Sequence, residues 1–219
     1  LCATGASVSC QRCDTADLVE VRRVALLSSD AASLRGVWHA AGTLVDALLG
    51  GQRAQSLRLA YAPKAHGAWS LRRACAQLDL RACVLFSSVA AILLGAGQAN
   101  YSAANGCLDA LAAHHRCQAQ ASTSVQWGAW AEVGMSVRGA AAKRMEASAA
   151  AAGLSLIDPK QGLAALRLTV QQEAPAVVLM LPVRWPRFLD GRRSVPAILS
   201  EFAPAAAPPT PAAASSSSR

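Results

Sequence analysis

The sequence predicts an α/β fold built on a parallel sheet, and three observations carry that reading. Short apolar runs alternate with longer Ala- and Leu-rich stretches, the pattern of successive strand-helix-strand units. The run Val84-Leu85-Phe86-Ser87-Ser88 ends in small polar residues, as a buried strand does where it leaves the core. Tyr101-Ser102-Ala103-Ala104-Asn105 then opens an alanine-rich stretch of good helix propensity, so a strand-end hydroxyl is followed by a helix that begins with a phenol.

In chain order, strands are expected near residues 7–11, 36–39, 82–86, 122–126 and 177–181, and helices near 18–28, 57–77, 101–116 and 160–172. Pro63 falls inside the second helix and should kink it or mark its true start, because its ring removes a helical hydrogen bond. Tyr101 and Asn105, four residues apart, share one helical face. Residues 129–153, rich in Ala with Gly134, Gly139 and Gly153, form a long connection that reads either as a mobile lid or as an ordinary surface helix. From Ala203 onward Pro, Ala and Ser dominate, a composition that cannot bury a core. Residues 1–202 are therefore expected to form the domain and 203–219 a linker.

Bulk properties exclude several classes. A chain of 219 residues, 53% hydrophobic and 16% charged, is long enough and apolar enough for one globular core. The longest apolar runs, 89–97 and 174–181, are about half of the roughly 18 residues that span a bilayer, so no membrane partner is expected. No charged segment precedes an apolar one at Leu1, so no signal peptide is visible. Seven scattered cysteines, an odd number, argue against a disulfide scaffold and for a reducing, cytoplasmic setting. Cys10 and Cys13 have metal-knuckle spacing, but on a strand residues three apart point to opposite faces, so no metal site is expected. His114, His115 and Cys117 lie where a helix ends and cations suit its dipole. The net charge of +8 is spread over many elements without interleaved aromatics, which argues against nucleic acid and suits attraction to an acidic partner domain.

A series of segments then narrows the class. Cys13-Asp14-Thr15-Ala16-Asp17, His39-Ala40-Ala41-Gly42, Ala62-Pro63-Lys64, Leu85-Phe86-Ser87-Ser88, Gly97-Gln98-Ala99-Asn100-Tyr101-Ser102-Ala103-Ala104-Asn105, Trp127-Gly128-Ala129-Trp130 and Gly134-Met135 occur in that order. With them the chain resembles the ketoreductase domains of modular type I polyketide synthases, a branch of the short-chain dehydrogenase/reductases, over nearly its whole length. The resemblance implies a Rossmann-like, doubly wound parallel sheet of that type. It also implies NADPH as cofactor, an acyl carrier protein domain presenting a phosphopantetheine-tethered β-ketoacyl chain, and other synthase domains on the same polypeptide. No Gly-x-Gly-x-x-Gly loop, which would hold a dinucleotide pyrophosphate at a helix N-terminus, is in the sequence. The resemblance places the start of the chain at about the third of seven strands, which leaves an open edge beside the strand ending at His39. Poor folding and weak cofactor binding of the chain alone are expected from this.

Reduction of a ketone needs a hydride at carbon and a proton for the oxygen. By the resemblance Lys64, Ser88, Tyr101 and Asn105 form the catalytic set. Most short-chain reductases carry lysine four residues after the tyrosine; here that position is Asn105, and the polyketide branch takes its lysine from the preceding helix. The Tyr101 phenol, with an ordinary pKa near 10, can give the proton, and the Lys64 ammonium is expected to draw that pKa down. Ser88 can donate a second hydrogen bond to the developing oxyanion. For cofactor, Asp14 matches the position near the adenine, and Ala40, Ala41 and Gly42 match the turn along the adenosine ribose, where Gly42 permits close approach. Asp46 matches the aspartate that marks the D (3R) product, although Val45 replaces the usual preceding aspartate. Leu93 stands where the opposite stereochemical class has tryptophan. Trp127, Trp130 and Met135 match the segment bordering substrate, though buried aromatics at a sheet end are as often core. The alternatives are the ketoreductase of a type I fatty acid synthase, or a truncated inactive domain serving as a spacer.

Overall fold

Four parallel strands, β1 (Gly36–His39), β2 (Ala82–Ser88), β3 (Thr123–Trp127) and β4 (Val177–Met180), form one sheet in the order β1-β2-β3-β4. A computed structural model describes residues 5, 7–29, 34–93, 96–131, 147, 149–171, 173–190 and 194–203. Parallel neighbours need crossover segments, and helices supply them. Helices α2 (Ala54–Tyr61) and α3 (Gly67–Ala74) lie between β1 and β2, α4 (Ala99–Cys117) between β2 and β3, and α5 (Pro159–Thr169) between β3 and β4. Helix α1 (Leu18–Ser29) precedes the sheet and packs on α3, and α6 (Trp185–Leu189) follows it.

Alternation along the strands divides the core into two layers. Val84, Val125 and Trp127 point to one face, where they meet Ile157, just ahead of α5, and Ala165 of α5. Leu85 points to the other and meets Ala68 of α3 with Leu108 and Ala112 of α4. Helices therefore cover both faces, the doubly wound arrangement expected from the sequence, and every residue of the inner strand β3 is buried. A third cluster of Phe188, Leu189 and Leu199 gathers Leu93, Leu154, Val183 and Trp185 beside it.

Two expectations are corrected. Residues 7–11 form no strand; they run as a mostly exposed loop, and among the described residues no strand lies alongside to complete a ladder. A strand exists only through its partner's hydrogen bonds, so local pattern could not decide this. The opposite-face argument for Cys10 and Cys13 falls with it: both are free thiols in that loop. Pro63 does not mark the start of the helix. The helix runs on from Ala54 through a π-helical turn, Ala62–His66, whose extra residue absorbs the donor that proline lacks. The remaining helices and strands agree with expectation within three residues at each end. Strand β1 is the edge of the sheet, with Trp38 half exposed on it. Most of 129–153, including Gly134 and Met135, and the tail 204–219 lie outside the described residues.

Candidate active site

The π turn decides where Lys64 goes. It turns this side chain inward until only 3% of it is exposed, and the ammonium donates to the Phe86 carbonyl of β2 at 2.8 Å. Gly42 stands against the same side chain: a Cβ there would come within 3.0 Å of Lys64 Cε and 3.4 Å of Nζ, so the missing side chain makes room for the lysine. His39, at the carboxyl end of β1, approaches the Lys64 carbonyl at 3.0 Å through Nε2. A carbonyl only accepts, so Nε2 carries the proton and donates. Burial, chiefly, pushes the Lys64 pKa down to about 8, and the negative charge of Asp109 opposes that fall.

Helix α4 supplies the other side of the site. Tyr101, Asn105 and Asp109 stand four residues apart and form one stripe along it. Tyr101 is 7% exposed, and the Lys64 ammonium lies over its ring, 5.3 Å from the centre. Asn105 is fully buried; its Nδ2 donates to the Tyr101 carbonyl at 2.8 Å, the Asn105 backbone carbonyl accepts from the Ser87 hydroxyl at 3.3 Å, and Asn105 Oδ1 has no partner. Ser88 ends β2, where its Oγ accepts from the Ala90 N–H at 3.2 Å and starts a short turn. These three polar groups thus meet Lys64 outside the carboxyl ends of the strands, where open parallel sheets bind ligands.

The expected effect of Lys64 on the phenol is corrected by this geometry. Burial pushes the Tyr101 pKa up; the Asn105 amide and the Ser88 hydroxyl pull it back, and Asp46 adds to the rise. The ammonium sits over the ring face and hydrogen-bonds a backbone carbonyl, so it does not offset the loss of water around the phenol. Tyr101 is accordingly held toward the neutral phenol.

Asp46 belongs to a loop stapled over the start of α4. Asn100 Nδ2 donates to the Val45 carbonyl at 2.8 Å and to the Ser56 carbonyl at 3.2 Å, while the Ala47 N–H donates to the Gly97 carbonyl at 2.9 Å. Gly97 has φ +82°, a conformation that favours glycine, and a Cβ on it would lie against the Ala47 backbone. Asp14, ahead of α1, accepts from the Ala16 N–H at 2.9 Å, and the neighbouring Thr15 hydroxyl donates to the Pro63 carbonyl at 3.3 Å. That contact ties the Asp14 loop to the turn bearing Lys64, and Ala40, Ala41 and Gly42 continue from β1 beside it. Leu93 packs in the third cluster against Phe188, Leu189 and Leu199. Trp127 ends β3 in register with Ser88. It lies in the core on the α5 face, its ring 5.6 Å from Phe86 and 4.9 Å from Trp130. Met135 lies outside the described residues. Sequence reasoning gave no role to Asn100 or Asp109, whose side-chain amide and carboxylate respectively reach partners 44 to 55 and 15 to 17 residues away.

A dinucleotide cofactor can be tested against these residues. The buried Asn105 Oδ1 without a partner is an acceptor awaiting a hydroxyl, and the Gly42 backbone and Lys64 ammonium lie side by side. Both suit a bound ribose and nicotinamide; the pyrophosphate loop is not in the sequence.

A two-faced parallel sheet with a lysine, a serine, a tyrosine and an asparagine at its carboxyl edge defines an α/β domain of the short-chain dehydrogenase/reductase type. The sequence profile of the KR domain matches residues 1–132. Polyketide synthase GfsA of Streptomyces halstedii is 45% identical over 130 residues, 59% of this chain and 2% of that protein. The spectinabilin polyketide synthase system protein NorB of Streptomyces orinoci is 36% identical over 223 aligned residues, 97% of this chain and 10% of that one. Among solved structures, the first-module ketoreductase of phoslactomycin biosynthesis from Streptomyces sp. HK803 superposes with a TM-score of 0.80 at 31% identity, covering 94% of this chain and 47% of that one. An A-type ketoreductase from a modular polyketide synthase gives 0.76 at 33% identity, over 85% and 38%. The chain belongs to the KR family, the ketoreductase domains of modular type I polyketide synthases. It spans a tenth or less of these synthases and under half of these solved chains.

Proposed function

We propose that this chain carries the catalytic part of a domain that reduces a carrier-bound β-ketoacyl thioester to the β-hydroxyacyl thioester with NADPH, giving the D (3R) alcohol. The observation that supports this most is the convergence of Lys64, Ser88, Tyr101 and Asn105 from three separate elements on one edge of the sheet. The intact set also weighs against an inactive spacer. NADPH, when bound, supplies the hydride. Tyr101, neutral at working pH, gives its phenolic proton to the substrate oxygen as negative charge grows there, a role worth about 10²- to 10⁴-fold in rate. Ser88 donates a second hydrogen bond to that oxygen, worth on the order of 3 kcal/mol. Lys64 holds positive charge beside the ring that loses the proton, and Asn105 fixes the first turn of α4 and offers Oδ1.

For the cofactor, Ala40, Ala41, Gly42 and Asp14 are the candidate contacts, on the ribose and adenine side. Asp46 borders the phenol and is the candidate stereochemical determinant; Leu93 occupies the position where the opposite class has tryptophan. An acyl carrier protein domain and further synthase domains are the proposed partners, in the cytoplasm, with residues 1–202 as the domain and 203–219 as the linker. The test is NADPH oxidation with a β-ketoacyl thioester by the polypeptide that carries this chain, parent against Tyr101→Phe, with chiral analysis of the alcohol. Phenylalanine fills the same space, so the fold should survive. A variant within tenfold of the parent would refute the assignment, and a 3S product would refute the stereochemistry.

A further inference from the structure

Helix α4 carries a carboxylate in the stripe that begins with the site. Asp109 lies one turn beyond Asn105 and two beyond Tyr101, facing β3. Both of its oxygens are taken: Ser124 Oγ donates to Oδ1 at 2.7 Å and Gln126 Nε2 to Oδ2 at 2.8 Å. Ser124 and Gln126 flank Val125, which stands in register with Phe86, and the Phe86 carbonyl accepts from Lys64. The carboxylate is thus fixed to β3 and the ammonium to the adjacent strand β2, at registered positions. The donors on Asp109 are both neutral, and no cation of the described residues lies at ion-pair distance from it.

A carboxylate clamped by neutral donors keeps its charge without cancelling it, and in a partly buried setting that charge acts over longer range than in water. We propose that Asp109 is a positioning residue for Lys64: held by Ser124 and Gln126, it supplies the negative charge that keeps the buried ammonium protonated beside Tyr101. The direction of its influence on Lys64 agrees, since it opposes the fall caused by burial. The other charged or titratable groups facing Lys64 are His39 from β1, itself pushed toward the neutral form by burial, and Tyr101 from α4; Asp46, in the loop after β1, acts on Tyr101. The proposal rests on the role given to Lys64 above, but the charge relation can be measured without turnover.

In the polypeptide that carries this chain, labelled with [ε-¹³C]lysine, a pH titration reads the lysine resonances, and Lys64→Arg assigns that of Lys64 by its loss. In Asp109→Asn the carbonyl can still accept from Gln126 and the amide can donate to Ser124, so the packing is retained. The Lys64 midpoint is expected to fall by about half a unit or more, roughly a threefold weaker hold on its proton. Direct contact with an opposite charge gives about 1–3 units, and this one acts at a distance. Asp109→Glu, which restores the charge, is expected to return the midpoint toward the parent's. Should Asp109→Asn fail to fold by circular dichroism, Asp109→Ser carries the same expectation. An unmoved Lys64 midpoint in a folded neutral variant overturns the proposal. Absence of ketone reduction in a parent whose Lys64 does respond to Asp109 would instead sink the catalytic reading and leave the charge relation standing.

Discussion

The Lys64 ammonium lies 5.3 Å from the centre of the Tyr101 ring, over its face, while its hydrogen bond goes to the carbonyl of Phe86. A buried ammonium over a buried phenol is expensive for the fold, because each loses water and neither ionises the other. Burial pushes the lysine toward the neutral form and keeps the phenol protonated. The pair stores a cost in stability at the place where a proton has to move.

That cost predicts a stabilised variant. Lys64→Met keeps the aliphatic reach and removes the charge, so it should be more stable than the parent at neutral pH. The sign follows from linkage. With the folded pKa lowered from 10.5 to about 8, the unfolded chain binds the extra proton between those values, so the parent gains stability as pH rises through that window. The advantage of Lys64→Met should therefore be full below pH 8 and shrink toward 10.5, by at most about 3 kcal/mol. Urea midpoints of both proteins at pH 7 and pH 10.5 measure it; a difference that does not change with pH would show that the lysine pays no such cost.

A second prediction concerns Asn100, which holds the Asp46 loop to α4. Its Nδ2 serves two carbonyls and its Oδ1 accepts from the Tyr101 N–H at 2.8 Å, all with the residue 1% exposed. Asn100→Ala leaves those groups without partners in the interior, each worth about 1–3 kcal/mol. Stability should drop by at least 2 kcal/mol, and residues 43–53 should become the first site of limited proteolysis. Cleavage elsewhere first would mean that the loop is held by other contacts.

How far the sequence reaches can be judged residue by residue. The alternation that places β2, α4 and β3 is local and was legible, as was the shared face of Tyr101 and Asn105, because side-chain periodicity needs no partner. Residues 7–11 have a strand's pattern but no neighbour among the described residues, and pairing is not written in a segment's own composition. Pro63 signals a lost hydrogen bond, yet only the folded chain shows that a π turn recovers it and in doing so aims Lys64 inward. The Tyr101 pKa direction was misjudged for a similar reason: a nearby cation can be inferred from a motif, whereas the depth of burial cannot. Asn100 and Asp109 gain their roles from distant partners, on the loop after β1, in α2 and on β3.

Acid should destabilise the protein through His115. It is 4% exposed with an unpartnered Nε2, and its pKa is lowered to about 4, by burial first and then by Arg72 and His114. Between pH 6.5 and 4 the unfolded chain binds a proton that the folded chain refuses, so stability is lost as pH falls through that window. The loss is at most about 3 kcal/mol and less where water in the cavity beside it screens the charge. That cavity, about 810 Å³, is lined by Arg72, Cys75 and Arg116 as well as His115. Melting curves at pH 7 and pH 4.5 should show a larger acid loss in the parent than in His115→Leu, so that the two diverge at pH 4.5 once aligned at pH 7; an acid loss equal in both would assign it to other groups.

Gly162 gives a prediction whose sign can be reversed. It lies in α5, and a Cβ on it would overlap Cη2 and Cζ3 of the Trp130 six-membered ring and come within 2.7 Å of Cζ2. Alanine gains about 1 kcal/mol over glycine in a helix interior, whereas overpacking a core costs about 1–3 kcal/mol. Which effect wins depends on whether the ring can retreat. Trp130 is backed by Trp127 at 4.9 Å and its backbone is bridged to Ile157, so retreat is blocked and Gly162→Ala should destabilise. In a Trp130→Phe background the overlapping ring carbons are gone, and the same substitution should become neutral or stabilising by up to about 1 kcal/mol. A double-mutant cycle on urea midpoints isolates this coupling. If Gly162→Ala has the same effect in both backgrounds, the helix is not held against Trp130, and the close approach of α5 to the sheet has another cause.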